Sequence, residues 1–399
     1  MTTVRLMTDF PAPDDQQVTL ANWRRTPFSQ WGFQNVRQLL PTASMARSDT
    51  PTSLPLDLRY LDDVSFAGLD GDKTTLPDAL RAIDSDGFIA LHRGRIVAEW
   101  YDHGLTPSSQ HLIFSVSKSF CGTLGGILAA LGKLDPDAPV TTYIPEMRGS
   151  VYGDCTVRHL LDMSVGIRFD EDYLATEGDV VAYRRATGWD PVPAGEPAPP
   201  HLRQLLQTLK HDGTPHGDTF HYVSTNTDVL GWVYERACGV PYAKLMQDHL
   251  WAPMGAENDA YIAVDSQGAA RAAGGMCATL RDLARFGEMM RNNGVSNGRQ
   301  VVPGDWVHDI RKNGDAAAWS RGKFTVLFPN GNYRNKWYTP DVTREAFSAI
   351  GIHGQWIYID PQSETVIVRV SSQPIPFDMP KDVVWLNACR AIASRLAYA

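Results

Sequence analysis

No stretch of the 399-residue sequence approaches 18 consecutive apolar residues, which argues against a membrane-spanning helix. Basic residues are in deficit: 37 Lys plus Arg stand against 45 Asp plus Glu, and no basic run offsets them. Nucleic acid therefore has no electrostatic support as a partner. Cysteine is sparse and scattered. Cys121, Cys155, Cys238, Cys277 and Cys389 form no CxxC pair, which argues against a disulfide framework or zinc ribbon and favours a reducing compartment, the cytoplasm. The stretch from Met1 to Phe10 lacks the continuous apolar segment of a signal peptide. There is no HExxH, no Gly-x4-Gly-Lys and no Gly-x-Gly-x-x-Gly, so neither a metal nor a nucleotide cofactor is expected.

What is present is the composition of an ordered globular protein, 43% hydrophobic and 21% charged, long enough for two or three domain-sized units. Residues 1–80 are rich in Pro, Ser and Asp, weakly periodic, and expected to wrap over a core as long loops. Residues 87–101 alternate as a β-hairpin around His92-Arg93-Gly94-Arg95. From Ser115 the pattern becomes helical, with Phe120, Leu124, Ile127, Leu128 and Leu131 at helical steps. Further helices are expected near 225–237 and after Thr279, where Thr279-x-x-Asp282 resembles a capping box. Residues 355–361 and 365–370 form a second hairpin pattern, and Trp385, Cys389, Ile392 and Leu396 mark one face of a closing helix.

Strands, a helical block, then strands again predict an α+β fold: one antiparallel sheet built from both chain ends, flanked by helices, with an all-α insertion. The expected division is 1–114 and 265–399 for the sheet domain and 115–264 for the helical one, with the active-site cleft between them.

Ser115-Val-Ser-Lys118 carries the most chemistry. In Ser-x-x-Lys at a helix start, i and i+3 share a face, roughly 5–6 Å apart at Cβ. A hydroxyl needs a neighbouring group to take or attract its proton before it attacks, and Lys118 is within reach to do so. The Ser115 N–H, at the helix start, is free to point into an oxyanion hole. A cation in the first turn opposes the helix dipole, and Gly122, Gly125 and Gly126 weaken the same helix; such broken local rules mark functional or closely packed sites. The plainer reading is an N-capping serine beside a surface lysine. Ser320-Arg-Gly-Lys323 has the same letters but lies in a polar, aperiodic stretch read as loop. Gly294-Val-Ser-Asn-Gly298 matches a nucleophile elbow in letters but is read as a turn, because a strand does not precede it. His211, His216 and His221 recur every five residues and share no helical face.

A Ser–Lys pair of this kind needs a second proton carrier, and Tyr222 in Tyr222-Val-Ser224 suits if a nearby cation lowers its pKa. Tyr222 stands nine residues before Gly231 in a Leu-Gly pair. With Ser115-x-x-Lys118, with residues 248–255 and with residues 274–286, this ordered set resembles the class C β-lactamase, DD-peptidase and family VIII esterase group across about 85–375. Two departures stand out. Ser224 replaces the Asn of Tyr-x-Asn, and Gly351-Ile352-His353-Gly354 replaces the Lys-Thr-Gly strand, removing a cation suited to a β-lactam carboxylate. Both, with residues 227–232 and 371–374, resemble the 6-aminohexanoate-dimer (nylon oligomer) hydrolases.

The resemblance implies a serine hydrolase, an amidase or carboxylesterase using Ser115, Lys118 and Tyr222. It implies an oxyanion hole from the N–H groups of Ser115 and Ile352, and substrate contacts from Tyr173, Trp189, Ser224 and His353. Tyr222, Tyr173 and Trp189 have a plainer reading as packing aromatics, Ser224 as a polar loop residue and His353 as a structural histidine. The partner is then a small-molecule amide or ester, with no nucleic acid and no membrane; a homodimer stays open. Two rivals remain: a β-lactamase or DD-peptidase of the same fold, and a catalytically silent binding protein.

Overall fold

The computed structural model describes residues 5–398; Met1 to Val4, part of the N-terminal stretch read above, lie outside the described residues. Seven antiparallel strands form the central sheet, in the order Asn332–Arg334, Trp337–Thr339, Phe347–Gly351, Gln355–Asp360, Thr365–Ser371, Ser85–His92 and Arg95–Tyr101. Both chain ends therefore meet in one sheet, as the alternation implied. The hairpin turn of 85–101 falls on Arg93 and Gly94, both with positive φ (50° and 73°), which is where glycine was needed.

Period-two alternation divides this sheet between two cores. Ile89, Leu91, Ile357, Ile359, Val366 and Val368 face the large core that also holds Phe120, Leu124 and Phe286. Phe88, Ala90, Trp356, Tyr358 and Ile367 face the other way, against Trp385, Cys389, Ile392 and Leu396 of the C-terminal helix Met379–Ala397. On the first side lies the helix Leu280–Arg291, whose N-cap Thr279 accepts from the Asp282 N–H as the sequence suggested.

The first 80 residues are more ordered than a loop reading allows. Thr42–Met45 pairs antiparallel with Ala260–Ala263 in a four-stranded sheet completed by Met276–Thr279 and Gln110–Leu112. Trp23, Phe33 and Val36 are buried with Phe114 and Trp189 in a third cluster. Ala260–Ala263 is a strand inside the span expected to be helical. Ser320 also departs from its loop reading: it lies in the last turn of the short helix Ala316–Arg321, capped by Asp315. Val295–Ser296 and Arg299–Gln300 form a small hairpin around Asn297-Gly298, so the Gly-x-Ser-x-Gly letters do mark a turn.

The helix Val116–Ala130 runs through the middle of the molecule and is buried over nearly its whole length. Its glycines are there for close approach. A Cβ on Gly122 would lie 2.0 Å from the Asn335 carbonyl oxygen, and one on Gly126 would lie 2.3 Å from the Trp306 ring. Among the described residues, no helix is long and apolar enough to cross a membrane.

Candidate active site

Ser115 precedes the first residue of the buried helix, and its side chain does not cap it. The Oγ accepts a hydrogen bond from Lys118 Nζ at 2.7 Å instead. Phe114, immediately before, is held at φ 43°, a left-handed conformation that costs a non-glycine residue about 1–3 kcal/mol and is tolerated where surrounding structure enforces it.

Lys118 is 1% exposed. Its Nζ also donates to the Ala273 carbonyl at 2.7 Å, and it lies 4.9 Å from the centroid of the Tyr222 ring. Burial dominates its titration and lowers its pKa to about 7, against the opposing pull of Glu171. The Ala273 segment is itself anchored, since Asp228 accepts from the Ala273 N–H at 2.8 Å and pairs with the buried Arg271.

The hydroxyl of Tyr222 faces those of Ser115 and Tyr338. Burial, reinforced by Glu171, raises its pKa above the ordinary phenol value. This corrects the expectation that a nearby cation would lower it: Lys118 is close, but burial disfavours the charged form of both groups. The arrangement thus pairs an amine half-deprotonated near neutrality with a phenol that keeps its proton.

Glu171 carries no sequence motif and was missed. Its carboxylate accepts from Tyr173 Oη at 2.8 Å and from both the backbone N–H and the hydroxyl of Ser224. The acidic run Asp170-Glu171-Asp172 is the only sequence signal it offered. Ser224, 3% exposed, is therefore turned towards Glu171.

Ser115, Tyr173, Tyr222, Tyr338 and Ile352 share one cleft of about 380 Å³, whose other walls include Phe324, Leu327, Phe328, Ile350 and Phe377. The structure thus brings Ser115, Lys118, Tyr222, Tyr173 and Ile352 together. It does not bring three other residues to the cleft wall. Ser224 sits behind Glu171. Trp189 is 5% exposed and packs edge-on against Trp23 and Phe114. The His353 ring is buried between Phe33 and Phe114, each 5.1 Å away, with Nδ1 donating to the Gln373 carbonyl at 2.6 Å. Burial lowers the His353 pKa to about 4, so the ring is neutral.

His353 nonetheless shapes the cleft. It adopts φ 59° at the end of the strand Phe347–Gly351, and its N–H donates to Pro376, which fixes the corner bearing Ile352. Gly351 presses against the helix start: a Cβ there would lie 2.8 Å from the Ile113 oxygen and 3.0 Å from the Ser115 nitrogen. The strand end that carries Ile352 is in this way packed directly against the backbone of Ser115. Among the described residues, no group of three or more His, Cys, Asp or Glu side chains could hold a metal ion.

Comparison with known proteins places this geometry. Residues 76–387 match the family model described as Beta-lactamase. A 6-aminohexanoate-dimer hydrolase of Paenarthrobacter ureafaciens is 39% identical over 370 residues, 92% of this chain and 91% of that protein. A solved structure from Bacillus anthracis, provisionally named a 6-aminohexanoate-dimer hydrolase, superposes with a TM-score of 0.88 at 28% identity, covering 96% of this chain and 98% of that one. A family VIII carboxylesterase shares the fold, with a TM-score of 0.54 at 18% identity over 80% of this chain and 96% of that one.

Proposed function

The chain belongs to the beta-lactamase family and is a serine hydrolase of that fold, and from this premise we propose that it cleaves small linear amides or esters through an acyl-enzyme on Ser115, in the manner of a 6-aminohexanoate-oligomer hydrolase. The single observation that carries the reading is the 2.7 Å hydrogen bond between Lys118 Nζ and Ser115 Oγ inside a buried, largely apolar cleft.

Ser115 Oγ attacks the substrate carbonyl carbon while its proton passes to the neutral amine of Lys118. Negative charge collects on the carbonyl oxygen, between the amides of Ser115 and Ile352; losing one such donor costs about 10²–10³ in rate. Tyr222, still protonated, gives its proton to the departing amine or alcohol, and the ammonium of Lys118 restores it. A water molecule then attacks the ester carbonyl, with Lys118 again accepting the proton, and Ser115 is released as the alcohol. Tyr173, tied to Glu171, faces the substrate across the cleft.

The strand end Gly351-Ile352-His353-Gly354 offers no cation for a β-lactam carboxylate, which favours linear substrates over antibiotics. Five free cysteines, four of them buried, support a reducing compartment, and we place the protein in the cytoplasm. The test is a substrate panel of aminohexanoate dimer, short p-nitrophenyl esters and nitrocefin, run on the wild type and Ser115→Ala. Turnover of dimer and esters but not nitrocefin, abolished in the variant, is expected. Retained turnover in a folded Ser115→Ala protein would remove the mechanism.

A further inference from the structure

The cleft wall holds a second phenol that the acyl-transfer steps leave idle. Tyr338 lies on the strand Trp337–Thr339 and lines the same cleft as Ser115 and Tyr222. It is 4% exposed, and aromatic neighbours fix its ring on several sides: Tyr333 at 4.7 Å, Phe324 at 5.9 Å, Phe328 at 6.1 Å and Trp319 at 6.4 Å between ring centroids. A phenylalanine would keep every one of those contacts. The hydroxyl is surplus to packing, and a hydroxyl withdrawn from water is costly unless it finds a partner. Its partner is the hydroxyl of Tyr222, whose ring lies 6.3 Å away and within 27° of parallel. Burial raises the Tyr338 pKa well above the ordinary phenol value, so Tyr338 stays a donor.

The chemistry makes this contact matter at one moment of the turnover. In the free enzyme the Tyr222 oxygen meets two hydroxyls, those of Ser115 and Tyr338. Once Ser115 Oγ has bonded to the substrate carbonyl carbon its proton is on Lys118, and it can no longer donate. When the tetrahedral intermediate collapses, the bond from that carbon to the leaving nitrogen or oxygen breaks. The electron pair goes to the leaving atom, which takes the Tyr222 proton, and the C=O bond re-forms. The Tyr222 oxygen is then a phenolate in a buried site close to Glu171, where burial and that carboxylate both disfavour the charge. Of its two hydroxyl partners, Tyr338 alone still has a proton to share.

We propose that Tyr338 is a positioning residue for the acid step, its O–H donating to the Tyr222 oxygen and stabilising the phenolate until Lys118 returns the proton. The inference rests on the serine-hydrolase reading of the cleft and adds to it a residue that acts through Tyr222. A hydrogen bond to a charged oxygen is stronger than one between neutral hydroxyls, so Tyr338 favours the collapse of the intermediate over the resting state. The gain is confined to leaving groups that must be protonated as they depart. An alkoxide or an amine anion needs Tyr222 to give up its proton, whereas p-nitrophenolate leaves unassisted.

The experiment compares kcat/KM for ethyl hexanoate and p-nitrophenyl hexanoate, which share an acyl group and differ in the leaving group, on full-length wild type, Tyr338→Phe and Tyr222→Phe. In Tyr338→Phe the loss on the ethyl ester is expected to exceed the loss on the p-nitrophenyl ester by about tenfold, the scale of one hydrogen bond to a charged group. In Tyr222→Phe the same imbalance should be larger, and adding Tyr338→Phe to it should widen it no further. An equal loss on both esters in Tyr338→Phe, the mark of a merely structural role, overturns the proposal, as does no loss on either. Should Tyr338→Phe fail to fold, 4-aminophenylalanine at position 338, a weaker donor of the same shape, carries the test, and a ratio unchanged from wild type overturns the proposal. An imbalance in Tyr222→Phe without one in Tyr338→Phe would sink Tyr338 and leave Tyr222 as the acid. Equal losses on the two esters in Tyr222→Phe would sink the acid step itself and the proposal with it.

Discussion

The carbonyl of Ala273 lies 2.7 Å from Nζ of Lys118, and the N–H of the same residue donates to Asp228. A backbone carbonyl accepts without adding a negative charge, so it orients the lysine without keeping it protonated. Burial then sets its titration near neutrality. An amine in this state is a base at pH 8 and an acid at pH 6, which fits a residue that must do both within one turnover.

The pH profile follows with a definite sign. The base form of Lys118 is the deprotonated one, so kcat/KM for a p-nitrophenyl ester should rise with pH through about 7 and level off above it. Lys118→Met should lose both the activity and the inflection. A profile flat from pH 5.5 to 8.5 would contradict the assignment of Lys118 as base.

Gly351 should tolerate no side chain. A methyl there meets the Ile113 oxygen at 2.8 Å and the Ser115 nitrogen at 3.0 Å, so the strand must retreat from the nucleophile. Gly351→Ala is expected to lower kcat by about 10²-fold, as loss of one oxyanion donor does, with a smaller change in KM. Steady-state kinetics beside a thermal melt separates this from unfolding.

Lys336 is a stability liability. It is 1% exposed at a hairpin corner, its Nζ has no hydrogen-bond partner among the described residues, and burial lowers its pKa to about 7. The unfolded chain, with an ordinary lysine pKa of about 10.4, binds a proton across the window from about 7 to 10 that the folded chain does not. Stability is therefore lost as pH falls through that window. Lys336→Met should raise unfolding free energy at pH 7 by about 1–3 kcal/mol and flatten its pH dependence. Urea unfolding at pH 7 and pH 10 checks both.

Much of this was legible in the letters because the signals were local. Thr279 and Asp282 announced a cap, Gly94 a tight turn, and Ser115 with Lys118 a shared helical face, each within four residues. The cleft's remaining parts were not local. Glu171 meets Ser224 across 53 positions, and nothing in an acidic triplet specifies that partner. The resemblance implied a substrate contact for His353, with a structural histidine as the plainer reading; its left-handed backbone turns the ring into the Phe33 and Phe114 cluster. Trp189 went the same way, held by Trp23 from a segment that read as loop. The corner Asn335-Lys336 has positive φ at both residues without a glycine, so no turn signal marked the hairpin that packs on Gly122.

Peptide mapping by mass spectrometry after treatment with a fluorophosphonate addresses the site most directly, because it reads where the covalent bond forms. One adduct is expected, on Ser115, absent from Ser115→Ala and forming more slowly below pH 7, where Lys118 holds its proton. An adduct on another serine, such as the buried Ser117 or Ser224, or hydrolysis that continues in fully labelled protein, would contradict the account.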